Sequence, residues 1–336
     1  MTESMKPISD VHSLMRGITV QHLRFRVRAT ETIKFEGEPG AALRGALYEA
    51  LAGNFCSEAF EMGGGDPHHA ETCPVCWLLA AEDITAGRGQ NVPRPLTVQP
   101  PLHQTHFAAG RSMTFGIALI GKAQNLLPYV ARAVQKMGGI GVGRGRGRFR
   151  LEAISEVHPL LDTERMLMDG RVVKRPTLAV TSSVVQDVAR GLPHHAVTLE
   201  LITPMRLTAG EKLVQRITPR VFVQRLIERC QSLSEQYGEF AADDVPPSRM
   251  DWIAGQEAAL KAADLLHVGY DETEWVEAFS GSRRTNRVSP ISGLIGRVRW
   301  EGEVAPLLPW LLWGSVLHVG KNAVKGSGYY RVIRAL

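Results

Sequence analysis

Gly293-Leu294-Ile295-Gly296-Arg297-Val298-Arg299-Trp300, an apolar stretch, His318-Val319-Gly320-Lys321 and Gly326-Ser327-Gly328-Tyr329-Tyr330-Arg331-Val332 decide the fold of this chain. The first octet alternates apolar and charged residues as a half-buried strand does. The apolar stretch suits a short helix over 306–317, the glycines a loop, and 329–333 a closing strand. Glycine lets backbone approach a phosphate closely, while N–H groups and flanking cations such as Lys321 and Lys325 would hold its charge. The order helix-loop-strand inverts the strand-loop-helix of dinucleotide and Walker sites, which argues against both.

Working outward, the second half supplies a strand over 196–202, helices over 219–237 and 253–266, and strands over 275–279 and 294–300. The first half opens with Val20, His22, Phe25 and Val27 alternating with Arg24, Arg26 and Arg28. Leu43, Ala46, Leu47, Ala50 and Leu51 then follow at helical spacing behind Pro39-Gly40. Strands over 93–101 and 112–121 come next, then a helix over 126–137 ending at Gly138-Gly139, and a strand over 147–157. Both halves therefore read strand, helix, strand, strand, helix, strand, with the helical stretch over 253–266 added in the second. That is an α+β fold of two tandem ferredoxin-like domains. The expected division is 1–158, with a Cys/His-rich insertion around 54–90, a linker over 159–194, and 195–336 with its glycine-rich loop at 318–328. The first half has a matching loop, Gly139-Ile140-Gly141-Val142-Gly143-Arg144-Gly145-Arg146-Gly147-Arg148. Taken alone it could be a solvated hairpin; its recurrence at the same place in both halves favours a phosphate cradle.

With 336 residues the chain has room for two cores, and 44% hydrophobic against 22% charged residues describes a globular protein. Net charge is +5, from 39 basic and 34 acidic residues. Nine of the basic residues are Lys and the rest Arg. Arginine forks suit phosphates and bases, although a biased gene composition enriches Arg as well. No apolar run reaches the roughly 18–20 residues that span a bilayer, and Pro306, Pro309 and Gly314 break the longest one. The first residues lack the apolar core of a signal peptide, so a cytoplasmic protein with no membrane partner is expected. Cys56 and the knuckle Cys73-Pro74-Val75-Cys76, with His68 and His69 before it, offer a Cys₃His zinc set. Reduced thiols in a cytoplasmic protein are the alternative.

Four stretches resemble the RAMP (repeat-associated mysterious protein) superfamily of CRISPR systems, most nearly its repeat-cleaving endoribonuclease branch. They are Leu43-Arg44-Gly45-Ala46-Leu47, the loop over 139–148, Ser282-Arg283-Arg284-Thr285 leading to Gly293-Leu294-Ile295-Gly296, and His318-Val319-Gly320-Lys321 through Gly328-Tyr329. The last is the most specific; the likeness spans nearly the whole chain and is weakest over 160–193. The resemblance implies an enzyme that binds the repeat hairpin of precursor CRISPR RNA and cleaves it without metal. The 2′-hydroxyl would attack the adjacent phosphate, leaving a cyclic phosphate and a 5′-hydroxyl. The product would often stay bound, within or on its way to an effector complex with other CRISPR subunits. No catalytic cofactor is implied, and a structural zinc is the one metal the residues suggest.

Such cleavage needs a base for the 2′-hydroxyl, an acid for the leaving oxygen and a cation for the phosphorane. Relatives often place a histidine at the first helix; here that helix offers Arg44 and Tyr48 and no histidine, the nearest in sequence being His68 and His69 in the cysteine segment. His318, beside Gly320 and Lys321, is the other proton-transfer candidate, and Lys321 the candidate phosphate contact. His318 could equally cap the preceding helix or bond a backbone carbonyl, and Tyr48 could be a packing residue. RNA binding is assigned to Arg144, Arg146, Arg148, Arg283, Arg284, Arg287, Gly320, Lys325, Gly326 and Gly328, and metal binding to Cys56, Cys73 and Cys76. A non-catalytic RNA-binding subunit, or a zinc-bearing scaffold of a ribonucleoprotein, would carry many of the same features.

Overall fold

The computed structural model describes residues 10–56, 69, 72–80, 93–169, 172–282 and 287–333. After a short helix, α1 (Val11–Leu14), strand β1 (Val20–Ala29) runs through the centre of the first sheet. Its alternation works as expected: Leu23, Phe25 and Val27 are buried, while Arg24 and Arg28 face out onto Glu164 and Glu152. Helix α2 (Pro39–Phe55) follows, entered through proline at its first turn, where the missing N–H costs nothing. A shorter helix, α3 (Pro74–Ala80), lies in the cysteine segment. Then come β2 (Leu96–Gln99), β3 (Ser112–Ile120), α4 (Leu127–Ile140) and β4 (Phe149–His158). The strand order β2-β3-β1-β4, all antiparallel, is that of a ferredoxin-like domain. Helix α4 continues through Gly138 and Gly139, past its expected end, and stops where Gly141 takes φ 80°.

The stretch expected to be a linker is structured. Strand β5 (Thr163–Met166) adds to the edge of the first sheet, and α5 (Ser182–Arg190) starts at a Thr181 side-chain cap. Val180 exchanges two backbone bonds with Val20, of 3.0 and 2.8 Å. The segment is also pinned to Glu156 on β4, which is 0% exposed. That carboxylate accepts from the Thr177 and Leu178 amides, both at 2.7 Å, from Arg165 at 2.6 Å and from Gln21 at 3.3 Å. Removing it leaves buried donors without an acceptor, which costs several times an ordinary hydrogen bond. Glu156→Ala is expected to lower stability by about 3 kcal/mol, read as a fall in the urea midpoint at constant slope.

The second sheet is built from β6 (Ala196–Met205), β7 (His267–Asp271), β8 (Glu274–Val276), β11 (Gly293–Glu301) and β12 (Tyr330–Ile333). Its order β7-β11-β6-β12 repeats that of the first sheet. Helices α6 (Pro219–Tyr237), α7 (Arg249–Asp264) and α8 (Leu308–Leu317) accompany it. A hairpin, β9 (Phe279–Ser282) and β10 (Arg287–Pro290), stands off the sheet before β11. Every position of α8 from Trp310 to Leu317 is buried, as a helix apolar on all sides must be. Two hydrophobic cores result, one within the first half and one in the second half that also takes in Leu14, Ile18, Val20 and Ile120, and the Trp77 ring on α3 packs against both. Among the described residues, no helix is long and apolar enough to cross a membrane.

Candidate active site at the seam between the halves

Both glycine-rich loops converge on α2. The first, residues 141–148, links α4 to β4 and lies on the short strand Ile33–Lys34. Arg144 N–H donates to the Lys34 carbonyl at 2.7 Å. A Cβ on Gly143 would sit 2.3 Å from that same oxygen, so glycine there serves a backbone-on-backbone contact. The three arginines are exposed, yet each has an acidic partner. Arg144 meets Glu36, Arg146 bridges Glu49 on α2 at 3.0 and 3.2 Å, and Arg148 lies 3.8 Å from Glu31. Exposed pairs of this kind contribute little, about 0–1 kcal/mol each, and a phosphate could displace the carboxylates. The loop therefore presents paired rather than bare cations.

The second loop begins at His318, the C-cap of α8, with φ 60°. This histidine is 0% exposed, against the expectation of a phosphate-facing proton-transfer group. Its Nδ1 lies 3.2 Å from the Ser327 carbonyl and its ring stacks on Tyr329 with centroids 5.2 Å apart. Burial first, then the nearby Arg229 and His22, pull its pKa down to about 3. His318 is thus a neutral pin for the loop, enclosed where no phosphate reaches it. The glycines are likewise occupied by protein. The Gly328 amide donates to the Pro204 carbonyl at 3.0 Å and the Gly326 amide to Ala323 at 2.9 Å. Gly320 lies against the Arg206 carbonyl, where a Cβ would come within 2.6 Å. Lys321 donates its backbone N–H to Arg206 at 3.0 Å and holds its side chain in solvent.

The loop then crosses to the other half. A single 3₁₀ turn, Ala323–Lys325, seats on the first turn of α2, so close that a Cβ on Gly40 would stand 2.0 Å from the Lys325 carbonyl oxygen. Beside this seam, within the second half, Lys325 Nζ lies 3.3 Å from Ser280 Oγ on β9. Burial, and then the Arg44 charge, hold the Lys325 pKa below its usual value. Arg44 lies over the ring of Tyr48, one helical turn on, at 5.4 Å from its centroid. Arg44, Tyr48 and Lys325, separated by nearly the whole chain, thus share one half-buried cluster with Ser280. At the N-cap of the same helix, burial raises the Glu38 pKa. Ser280 carried no signal in the sequence, since its role arises from where the hairpin stands. The side chain of Arg287, and Arg283 and Arg284 altogether, lie outside the described residues, as does His68. At the far end of α2, Cys56, His69, Cys73 and Cys76 form the one group of potential metal ligands among the described residues.

Residues 199–330 match the family model of the CRISPR-associated endoribonuclease Cas6, and residues 18–178 match a family model described as an N-terminal domain. The C-terminal half is thus similar to a Cas6 domain over 199–330. The likeness therefore extends beyond short motifs. Cas6 of Thermus thermophilus is similar in fold, with a TM-score of 0.53, 11% identity, and coverage of 94% of this chain and 99% of that one. A Cas6 product complex gives 0.54, 12%, 94% and 100%. A Cas6-RT-Cas1–Cas2 complex gives 0.59 at 11% identity and 95% coverage, but this chain spans only 46% of the length of that protein. Such identities establish shared architecture, two tandem ferredoxin-like domains. No curated protein sequence matches the chain.

Proposed function

We propose that this protein is a CRISPR RNA-processing endoribonuclease that binds the repeat hairpin of precursor CRISPR RNA and cuts it at the α2 seam. The observation that carries the reading is the meeting of Arg44, Tyr48 and Lys325 in a chain whose second half matches the Cas6 model. The reaction is attack of the 2′-hydroxyl on the adjacent phosphorus, with the 5′-oxygen of the next nucleotide leaving. The products are a 2′,3′-cyclic phosphate and a 5′-hydroxyl. Arg44 and Lys325 supply positive charge where the phosphorane gathers negative charge, in a half-buried setting that strengthens it. The Tyr48 ring lies against Arg44 and its phenol can carry a proton, as can Lys325, whose pKa burial and then Arg44 lower. These side chains provide cation and proton carriers without a metal. Hairpin shape and unpaired bases supply specificity, because the A-form major groove is too narrow for side chains. Retention of the product, and its delivery to other CRISPR effector subunits, belong to the same proposal.

Incubation with a 5′-labelled repeat RNA in EDTA is expected to give one cut and a cyclic phosphate end. Tight binding with intact RNA would instead establish a second reading, a non-catalytic RNA-binding subunit of an effector complex. The enclosure of His318 and the absence of histidine from α2 favour that alternative.

A further inference from the structure

Cys56 ends α2, and Cys73 and Cys76 frame the start of α3. With His69 they place four ligand atoms within 4.8 Å of one another. Cys56 Sγ lies 3.2 Å from His69 Nε2 and 3.6 Å from Cys76 Sγ. A disulfide needs its sulfurs at about 2.05 Å, so this is not one. Tetrahedral zinc, with bonds of about 2.3 Å to sulfur and 2.0–2.1 Å to nitrogen, spaces its ligands by roughly 3.4–3.8 Å, close to what is seen. The backbone holds the ligands in place: the Cys73 amide donates to His69 at 2.8 Å and the Trp77 amide to Cys73 at 2.9 Å. Cys56 and Cys76 are buried, at 8% and 0% exposure, and three thiols with one imidazole complete four positions and leave none for a substrate.

The position of the set indicates what such an ion would do. It sits at the C-terminal end of α2, opposite the Gly40–Lys325 contact. Trp77, next to Cys76, packs edge-to-face on Tyr237 of α6 in the other half, with centroids 5.3 Å apart. We infer that Cys56, His69, Cys73 and Cys76 bind one structural zinc ion, which fastens the end of α2 to α3 and, through Trp77, to the second half. This holds whether or not the protein cleaves RNA.

The test is metal analysis of the purified full chain. About one zinc per chain is expected, released in step with modification of the thiols by a mercurial. Cobalt exchanged into the site should show thiolate charge-transfer bands and the strong d–d absorption of a tetrahedral ion. His69→Ala and Cys76→Ser should each lose most of the bound metal. Should either fail to fold, His69→Cys keeps four ligands, and its cobalt spectrum should move toward that of a four-sulfur site. A chain that purifies without zinc and gives no thiolate–cobalt bands overturns the site. On metal removal, amide exchange should rise together in 73–80 and 233–238; a rise confined to 73–80 overturns the link to the second half.

Discussion

Lys325→Ala is expected to slow single-turnover cleavage of a repeat RNA by about 10²–10³-fold, the usual consequence of losing one preorganised charge at a developing oxyanion. Tyr48→Phe should cost about 10²-fold or more if the phenol moves a proton, with RNA affinity nearly unchanged. Lys325→Arg separates two roles for the lysine. Arginine keeps the charge and gives up no proton near neutral pH, so restored cleavage would confine Lys325 to electrostatics. Gly40→Ala tests the seam without touching any reacting group. Its methyl would meet the Lys325 carbonyl, now 2.0 Å from the position a Cβ would take, and push the 3₁₀ turn off α2. Cleavage should then fall as in Lys325→Ala, and the thermal midpoint with it, since the methyl meets backbone and not a side chain that can turn away. Unchanged cleavage in Lys325→Ala and Tyr48→Phe would remove the seam as the reaction site.

Mild acid should destabilise the protein well before its carboxylates titrate. Burial, and then His158, bring His22 to about 3, and burial with Arg229 and His22 does the same for His318. Both folded values lie below the unfolded one, about 6.5, so between the two the unfolded chain binds more protons. Stability is therefore complete above about 6.5 and is lost as pH falls toward 3, at about 1.4 kcal/mol per pH unit for each histidine. From pH 7 to pH 5 the two together remove about 4 kcal/mol. Urea midpoints at pH 7, 6 and 5 measure this, and His318→Gln should make the slope shallower. Glu152, Glu277 and Glu301, whose pKa values are lowered by hydrogen bonds from Arg28, Ser292 and Arg299 respectively, take over only at more acid pH. A flat profile down to pH 5 would mean that His22 and His318 are not enclosed in solution.

The repeated architecture was legible because its signals are local. Helix α6 begins at Pro219 and ends before Gly238, the two residues that mark such boundaries in a sequence. Helix α7 starts four residues earlier than its apolar spacing suggests, at a capping box between Ser248 and Asp251 whose pattern was there to be read. Strand β7 was invisible for the opposite reason: all five of its residues are exposed, so no alternation betrays it. The site was only partly legible. Arg44, Tyr48 and Lys325 stand out as residue types, but nothing local shows that α2 and the last loop meet. Glycine was the most ambiguous letter, since close approach to a phosphate and to another strand's carbonyl require the same missing Cβ. Charge misled in a similar way, because Glu31, Glu36 and Glu49, far away in sequence, already occupy the first loop's arginines. The cysteine knuckle announced itself, whereas nothing local shows that Cys56 and His69 come to within 3.2 Å of each other.

The two halves are joined by apolar packing of Leu14, Met15, Ile18 and Ile120 into the second half's core, and by close contacts at Gly40 on Lys325, Gly326 on Val98, Gly121 on Tyr237 and Trp77 on Tyr237. Counterions weaken neither kind of contact, whereas they compete directly for a polyanion held by surface arginines. Concentrated electrolyte should thus strip co-purifying nucleic acid while the halves stay docked, leaving a receptor ready to be reloaded on dilution.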